Sequence, residues 1–290
     1  MITVVGSINM DIVCQTNVFP KQGETILGER FETVPGGKGA NQAVAAARLD
    51  AKVAMVGAVG QDSFGPVLKE TLKHEGVDTT AVATVPTNTG IANIILFEQD
   101  NRIIVVPGAN FDVTAEMVAA QEELLAQSQL VVLQLEIPVE TVEATLALCA
   151  KLNVPVLLNP APARNFKPEW MDQIAYVTPN ETECALMFGD EIEATLAKYP
   201  NKLIVTLGGD GAMYHNGAEI VKVAGFKATP VDTTGAGDTF NGAFAAKIVT
   251  GASVEEAVQF ANAAGSLSVE KFGAQGGMPT MAEVMERLGE

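Results

Sequence analysis

The chain reads as an α/β fold: a mainly parallel sheet flanked by helices, with a small β-sheet lid over its mouth. Three observations predict it. Brief, nearly continuous apolar runs recur along the chain, segments of helical period separate them, and two stretches instead interleave apolar with polar residues. The apolar runs are Ile2–Val5, Val53–Val56, Leu130–Leu135, Val154–Leu158, Ala175–Thr178 and Leu203–Leu207. Strands buried on both faces have this character.

Between the runs, Phe64–Glu75 puts Phe64, Val67, Leu68 and Leu72 on one helical face, with Pro66 in the first turn and Gly76 as the stop. Pro138–Leu152 carries Val139, Val142, Leu146 and Cys149 at the same spacing. Strand and helix in alternation imply βαβ units with right-handed crossovers. Glu24–Val34 and Thr89–Val106 read as antiparallel hairpin strands, too polar on one face for a central sheet. They are the expected lid, about residues 12–35 and 87–107. No linker, low-complexity tract or internal repeat divides the chain, so one domain over residues 1–290 is expected.

Hydrophobic residues make up 48% of 290, which excludes a disordered chain and suffices for one large core. No apolar run approaches the roughly 20 residues of a membrane span, and none resembles a secretory segment; Met1–Ser7 already reads as a strand. Cys14, Cys149 and Cys184 are widely spaced and, with only His74 and His215, make no zinc pattern. Buried thiols of a cytoplasmic protein are expected. With 18 basic against 35 acidic residues the net charge is −17, and no basic stripe offsets it, which disfavours nucleic acid as a partner. An anionic substrate would need backbone amides, a few placed cations and Mg²⁺, which turns attention to glycine-rich helix starts.

One such start follows the strand-like Phe226–Val231: Asp232-Thr-Thr-Gly-Ala-Gly-Asp-Thr-Phe-Asn-Gly242, leading into a helical pattern with Phe240, Ala243, Phe244 and Ile248 on one side. Gly235 and Gly237 clear side chains from the approach to free N–H groups, which suits a phosphate. Asp238 lies in the first turn, beside that anion site. A carboxylate there is unfavourable unless it has work to do, such as accepting a proton from a substrate hydroxyl. The plainer reading is a helix cap on a tight turn. A dinucleotide fingerprint fails, since its third glycine would fall on Phe240, and a phosphate-binding P-loop fails because Gly37-Lys38 is followed by Gly39.

Asp232–Phe244 resembles the C-terminal signature of the PfkB family of carbohydrate kinases. Gly36-Gly-Lys-Gly-Ala-Asn-Gln-Ala-Val-Ala-Ala46 resembles its N-terminal signature, in the form carried by ribose-phosphorylating members. Gly6-Ser-Ile-Asn-Met-Asp11, Asn159-Pro-Ala-Pro-Ala-Arg164, Thr178-Pro-Asn-Glu-Thr-Glu183, Thr206-Leu-Gly-Gly-Asp-Gly211 and Gly273-Ala-Gln275 follow in the family's order, so the resemblance covers essentially the whole chain.

The resemblance implies a doubly wound α/β domain of this family's type, a small β lid, and a homodimer formed through the lids. It implies ATP and a small sugar as ligands. Asn9, Asp11, Gly37, Lys38, Asn41 and Glu136 would bind the sugar, Asn9 and Asp11 from the end of the first strand. Asp238 would be the base, with Gly235, Ala236 and Gly237 as the anion hole. Asn180 and Glu183 match a pattern tied to Mg²⁺ and phosphate placement, Glu183 through metal-bound water; Asn180 is equally a helix N-cap. Thr206, Leu207, Gly208, Gly209, Asp210 and Gly211, with Gly237, would line the nucleotide phosphates, and Asn262 the adenosine side.

A potassium ion, as activator, would be ligated by Asp232, Thr234, Ser268, Lys271 and Gly273, several through backbone carbonyls. The sequence departs from the pattern at Gly277, where a serine is usual, and in the short crossover Gly189–Asn201, which leaves room for barely two helical turns. Within the family, the Gly-Gly-Lys-Gly-Ala-Asn form and the Asn9/Asp11 pair favour D-ribose and its 5-phosphate over deoxyribose, fructose, a sugar acid or a nucleoside. Outside it, the expected absence of a signal peptide and the second, phosphate-like glycine turn argue against a ribose-binding transport protein, and an inactive sugar sensor should have lost Asp238 first.

Overall fold

The computed structural model describes residues 1–97 and 100–289. Glu98 and Gln99, in the middle of the expected Thr89–Val106 hairpin, lie outside the described residues. The first half of the chain contains β1 (Ile2–Val5), β2 (Asn9–Gln15), β3 (Arg30–Gly36), α1 (Lys38–Arg48), β4 (Val53–Gly60), α2 (Phe64–His74), β5 (Val77–Asp78), β6 (Val82–Val85), β7 (Gly90–Phe97) and β8 (Asp100–Val106). Then come α3 (Ala115–Ala119), α4 (Glu122–Ala126), β9 (Leu130–Leu133), α5 (Val139–Leu152), β10 (Val156–Leu158), β11 (Tyr176–Val177), α6 (Glu181–Phe188) and α7 (Ile192–Lys198). The last part holds β12 (Ile204–Thr206), β13 (Gly211–His215), β14 (Ile220–Ala224), α8 (Ala236–Ile248), α9 (Val254–Ser268) and α10 (Met281–Leu288).

The central sheet runs β11-β10-β9-β1-β4-β5, with β6 also on β4, and every pairing is parallel. Its apolar runs divide by the period-two rule between two cores. Ile2, Val4, Val53, Met55, Leu130 and Val132 pack with α1, α8 and α9 on one face. Val5, Val56, Val131 and Leu133 pack with α5, Trp170 and Cys184 on the other. A sheet covered on both faces needs apolar residues at every strand position, which is why these runs are continuous. The antiparallel β12-β13-β14 sheet adjoins β11 through a parallel bridge between Val177 and Leu203.

The small sheet has the order β3-β2-β7-β8, with β2 and β7 parallel and the other pairs antiparallel. It contains a strand the sequence reading folded into β1. Asn9 and Asp11 sit on β2, a separate strand reached through Gly6–Ile8, and not at the end of the first strand. The first half of the Glu24–Val34 stretch is exposed coil, and pairing begins at Arg30 opposite Gln15.

Phe226–Val231 is likewise not a strand. β14 ends at Ala224, and the chain beyond is tied by Val231 and Asp232 N–H groups that both donate to Val269 O (2.7 and 3.2 Å). Proline at 230 could not have donated to a ladder. The short crossover holds α7, about two turns, as its length required. No helix among the described residues is long and apolar enough to cross a membrane. Cys149 and Cys184 are buried, each thiol pushed up to about 11 by that burial, whereas Cys14 on β2 is only half-buried.

Candidate active site

α8 starts at Gly235, whose φ of 79° is left-handed and whose missing Cβ would stand 2.8 Å from the Ala274 Cβ. Thr239 N–H makes the first α-helical bond, to Gly235 O (2.8 Å), so the amides before it have no partner inside the helix. Ala236 N–H turns back to Thr233 O (3.3 Å), which engages one of the three expected anion-hole amides. Gly237 faces open space: a Cβ there would meet nothing within 4 Å.

Asp238 does not cap this helix. Its carboxylate is buried and reaches across to α1, accepting from Asn41 Nδ2 (2.9 Å) and Gln42 Nε2 (3.0 Å). Asn41 Oδ1 in turn accepts from Gln275 Nε2 (3.1 Å). The helices approach this closely because of Gly242, where a Cβ would lie 2.5 Å from the Ala45 Cβ and 2.7 Å from Gln42 O.

The expected sugar residues surround the same point. Gly37, with φ 89°, opens α1; a Cβ there would lie 2.7 Å from Asn9 N. Asn9 Oδ1 accepts from Asn110 Nδ2 (2.7 Å), and Asn110 Oδ1 accepts from Ile8 N–H (2.8 Å). Glu136 accepts from Ser7 Oγ (2.5 Å) and from Lys38 N–H (3.1 Å). Asp11 lies in a cradle that only glycine at 36 leaves open, since a Cβ would be 2.4 Å from its Oδ2. Burial pushes the Asp11 carboxyl up to about 7, helped by the charges of Glu136 and Asp238 and opposed by Lys38. The Lys38 ammonium is held charged foremost by Asp238, against its burial, with Glu136, Glu183 and Asp11 adding to the effect. One cation thus serves carboxylates from the small sheet, the loop after β9, α8 and α6.

On the far side of Asp238, a parallel bridge between Asn180 and Thr206 sets the start of α6 beside the end of β12. Asn180 Oδ1 accepts from Glu183 N–H (2.8 Å) and Glu183 Oε2 from Asn180 N–H (2.9 Å), a complete capping box. Glu183 is raised above the usual carboxylate range chiefly by burial. Leu207 donates to Gly211 O (2.8 Å) across the tight turn Gly208–Asp210, and Gly208 and Gly209 both face open space. Asn262 has its amide turned to Val223 O (3.0 Å) and Ala224 O (3.3 Å), tying α9 to β14.

Asp232 Oδ1 accepts from Thr234 N–H and Oδ2 from Gly273 N–H (both 2.9 Å), which joins the α8 approach to the Phe272–Met278 loop. Gly277 N–H donates to Gly273 O (3.1 Å), and a Cβ at 277 would sit 1.9 Å from Ser268 O. This backbone therefore excludes the usual serine. Lys271 pairs at the surface with Glu283 (3.2 Å). Between these loops and the small sheet lies a cavity of about 690 Å³, lined by Asp11, Val34, Phe97, Asp232, Thr234 and Gly273 among others.

The arrangement can place a hydroxylated ligand between β2 and α1, and an anion at the start of α8, with one carboxylate between them. No group of three or more His, Cys, Asp or Glu among the described residues is arranged to hold a metal by itself. A hard cation carried in by phosphates and water fits such a site better than one caged by protein. Sequence reasoning did not single out Ser7, Gln42, Asn110, Gln134, Asn159 or Gln275. Ser7, Gln42, Asn159 and Gln275 do lie inside the quoted motifs, which was their signal, whereas Asn110 and Gln134 lie in none.

Residues 1–281 match the model of the pfkB family carbohydrate kinases. The chain is 50% identical over 291 residues to the ribokinase of Lactococcus lactis subsp. lactis, covering 100% of this chain and 97% of that one. Its fold superposes on the crystal structure of ribokinase from Thermotoga maritima with a TM-score of 0.91, at 38% identity, covering 100% and 99% of the two chains. The structure of Arabidopsis thaliana ribokinase complexed with ribose and ATP gives a TM-score of 0.91 at 35% identity, covering 99% and 98%.

Proposed function

The chain belongs to the pfkB family of carbohydrate kinases, and from that premise we propose that it transfers the γ-phosphoryl group of ATP to the 5-hydroxyl of D-ribose. The observation that carries the reading is Asp238: a buried carboxylate, aimed away from its own helix, at the junction of a polar pocket and an open helix start. The choice of ribose rests on the 50% identity to the Lactococcus ribokinase.

Asn9, Asp11 and Glu136 present acceptors, or amides, at spacings that sort hydroxyl positions, and Lys38 and Gly37 close the pocket beside them. Asp238 takes the proton as the hydroxyl oxygen bonds to the γ-phosphorus, and the bond from that phosphorus to the bridging oxygen of ADP breaks. Gly237 N–H and its neighbours stabilise charge on the group in flight, typically by several kcal/mol for such preorganised donors. The Lys38 ammonium, among four carboxylates, is placed to meet the phosphoryl charge as it arrives. Thr206–Gly211, Asn180 and Glu183 hold the nucleotide phosphates. Asn180 and Glu183 would hold the Mg²⁺ that accompanies ATP, Glu183 through water, and the ion would supply neutralisation of phosphate charge.

K⁺, as an activator, would be held by Asp232 with Thr234, Ser268, Lys271 and Gly273, an oxygen set of carboxylate and backbone carbonyls that suits an alkali cation, and position 277 would offer it only backbone. The small sheet exposes Phe31, Ile103, Ile104, Val105 and Val106, and β8 is an unpaired edge. A second copy covering that sheet would form the dimer.

The experiment is a phosphorylation screen over ribose, 2-deoxyribose, fructose and adenosine with ATP, with the product position read by NMR. Ribose with 5-phosphate as product is expected to lead in kcat/KM. Preference for a different acceptor, or phosphate at another position, overturns the assignment.

A further inference from the structure

Asp238 is held by more than its immediate neighbours. Gln42 is fully buried, and its Nε2 donates both to Asp238 Oδ1 (3.0 Å) and to Asn159 Oδ1 (3.1 Å). Asn159 is anchored in turn, its Nδ2 donating to Thr178 O (3.2 Å). With two acceptors facing its nitrogen, the Gln42 amide has one orientation, and its Oε1 must face the other way. There it accepts from Gln134 Nε2 (2.7 Å). That contact sets the Gln134 amide as well, and sends its Oε1 into the chain beside Gly6.

At that end the polarity fails. Gln134 is fully buried and its Oε1 has no hydrogen-bond partner, the one such side-chain atom found among the described residues. It lies where a Cβ on Gly6 would be, 2.0 Å from that position. Turning the Gln134 amide over would set oxygen against oxygen at Gln42. Turning Gln42 as well would set its oxygen against the Asp238 carboxylate. The mismatch therefore sits at the end of a one-way chain of donors, Gln134 to Gln42 to Asp238, as far from the carboxylate as the chain allows. An apolar residue at 134 would bury no orphan acceptor, so packing alone gives no reason for glutamine there.

We propose that Gln42, oriented by Gln134, is a positioning residue for the phosphoryl transfer: it fixes the plane of the Asp238 carboxylate together with Asn41. Two amides on consecutive residues of α1 take one carboxylate oxygen each, which leaves the remaining lone pairs directed at the hydroxyl to be deprotonated. Both glutamines are fully buried and neither lines the cavity beside the small sheet. Their effect therefore falls on turnover and not on binding. The proposal rests on the reading of Asp238 as the base.

The test is a double-mutant cycle of Gln42→Met with Asp238→Ala, with kcat, both KM values and ligand binding by calorimetry. Gln42→Met is expected to lower kcat about ten- to a hundredfold, the loss typical of a misplaced catalytic group. Both KM values should stay within about threefold of wild type. In the Asp238→Ala background the same change should lower kcat no further. Gln134→Met should lower kcat about three- to tenfold, again with binding kept. Its melting temperature should not fall, because the orphan acceptor is gone.

An equal loss from Gln42→Met with and without Asp238 overturns the proposal, as does wild-type turnover in Gln42→Met. If Gln42→Met does not fold, the cycle run with Gln134→Met decides by the same criteria. Full turnover in Asp238→Ala alone would instead sink the reading of the base.

Discussion

Asp11 and Asp238 are both buried carboxylates within one cleft, yet their surroundings differ. Asp238 has amide donors on both oxygens, whereas burial and like charge push Asp11 up to about 7. In the free protein Asp11 is mostly neutral at pH 6 and mostly charged at pH 8. Sugar hydroxyls bond better to the charged form, so kcat/KM for ribose should rise through pH 7 and then level. Asp11→Asn should remove that rise and leave the KM of ATP almost unchanged; an unaltered profile would move the sugar site elsewhere. The same shift has a sign for stability. A carboxyl raised in the folded state stabilises the protein below its unfolded pKa of 3.8, and that contribution is lost as pH climbs through about 7. Melting of the free protein against Asp11→Asn between pH 5 and 8 checks this: the wild type should lose ground with rising pH, and added ribose should restore it.

At the scale of elements, the site exists because α1 and α8 cross almost in backbone contact. Gly242→Ala on an exposed helix would gain about 1 kcal/mol of helix propensity. Here the new Cβ would stand 2.5 Å from the Ala45 Cβ, and overpacking of about 1–3 kcal/mol wins. The variant should melt lower, and turnover should fall with it, because separating the helices stretches the Asn41 and Gln42 bonds to Asp238. A variant that melts higher with full activity would contradict this account of the crossing. Strands β1, β4 and β9 were legible in the sequence because burial on both faces leaves an unbroken apolar run. β2 was not, since Asn9–Gln15 mixes polar with apolar residues and has no period of its own until it pairs. Phe226–Val231 has strand composition but no neighbour to pair with, and pairing is a property of the fold. The amide chain was not legible for a related reason: its bonds, from Gln42 to Gln134, Asn159 and Asp238, join residues 92 to 196 positions apart. Glutamine and asparagine carry no spacing rule that would link them.

For the whole molecule, a further expectation follows from the small sheet. If the proposed dimer forms through this sheet, Ile104→Glu on the exposed edge strand should shift sedimentation from dimer to monomer, and an unchanged dimer would place the interface elsewhere. The molecule otherwise joins three pieces at one carboxylate: Asn9 and Asp11 of the small sheet as the proposed sugar ligands, amides from α1, and the open start of α8 as the proposed anion site. That convergence is the central claim, and Asp238→Asn tests it most directly through turnover measured beside calorimetric binding of ribose and ATP. The account predicts that kcat falls by about 10²–10⁴ while both ligands still bind nearly as well as to the wild type. Turnover equal to wild type, or a loss fully explained by weaker binding, would contradict it.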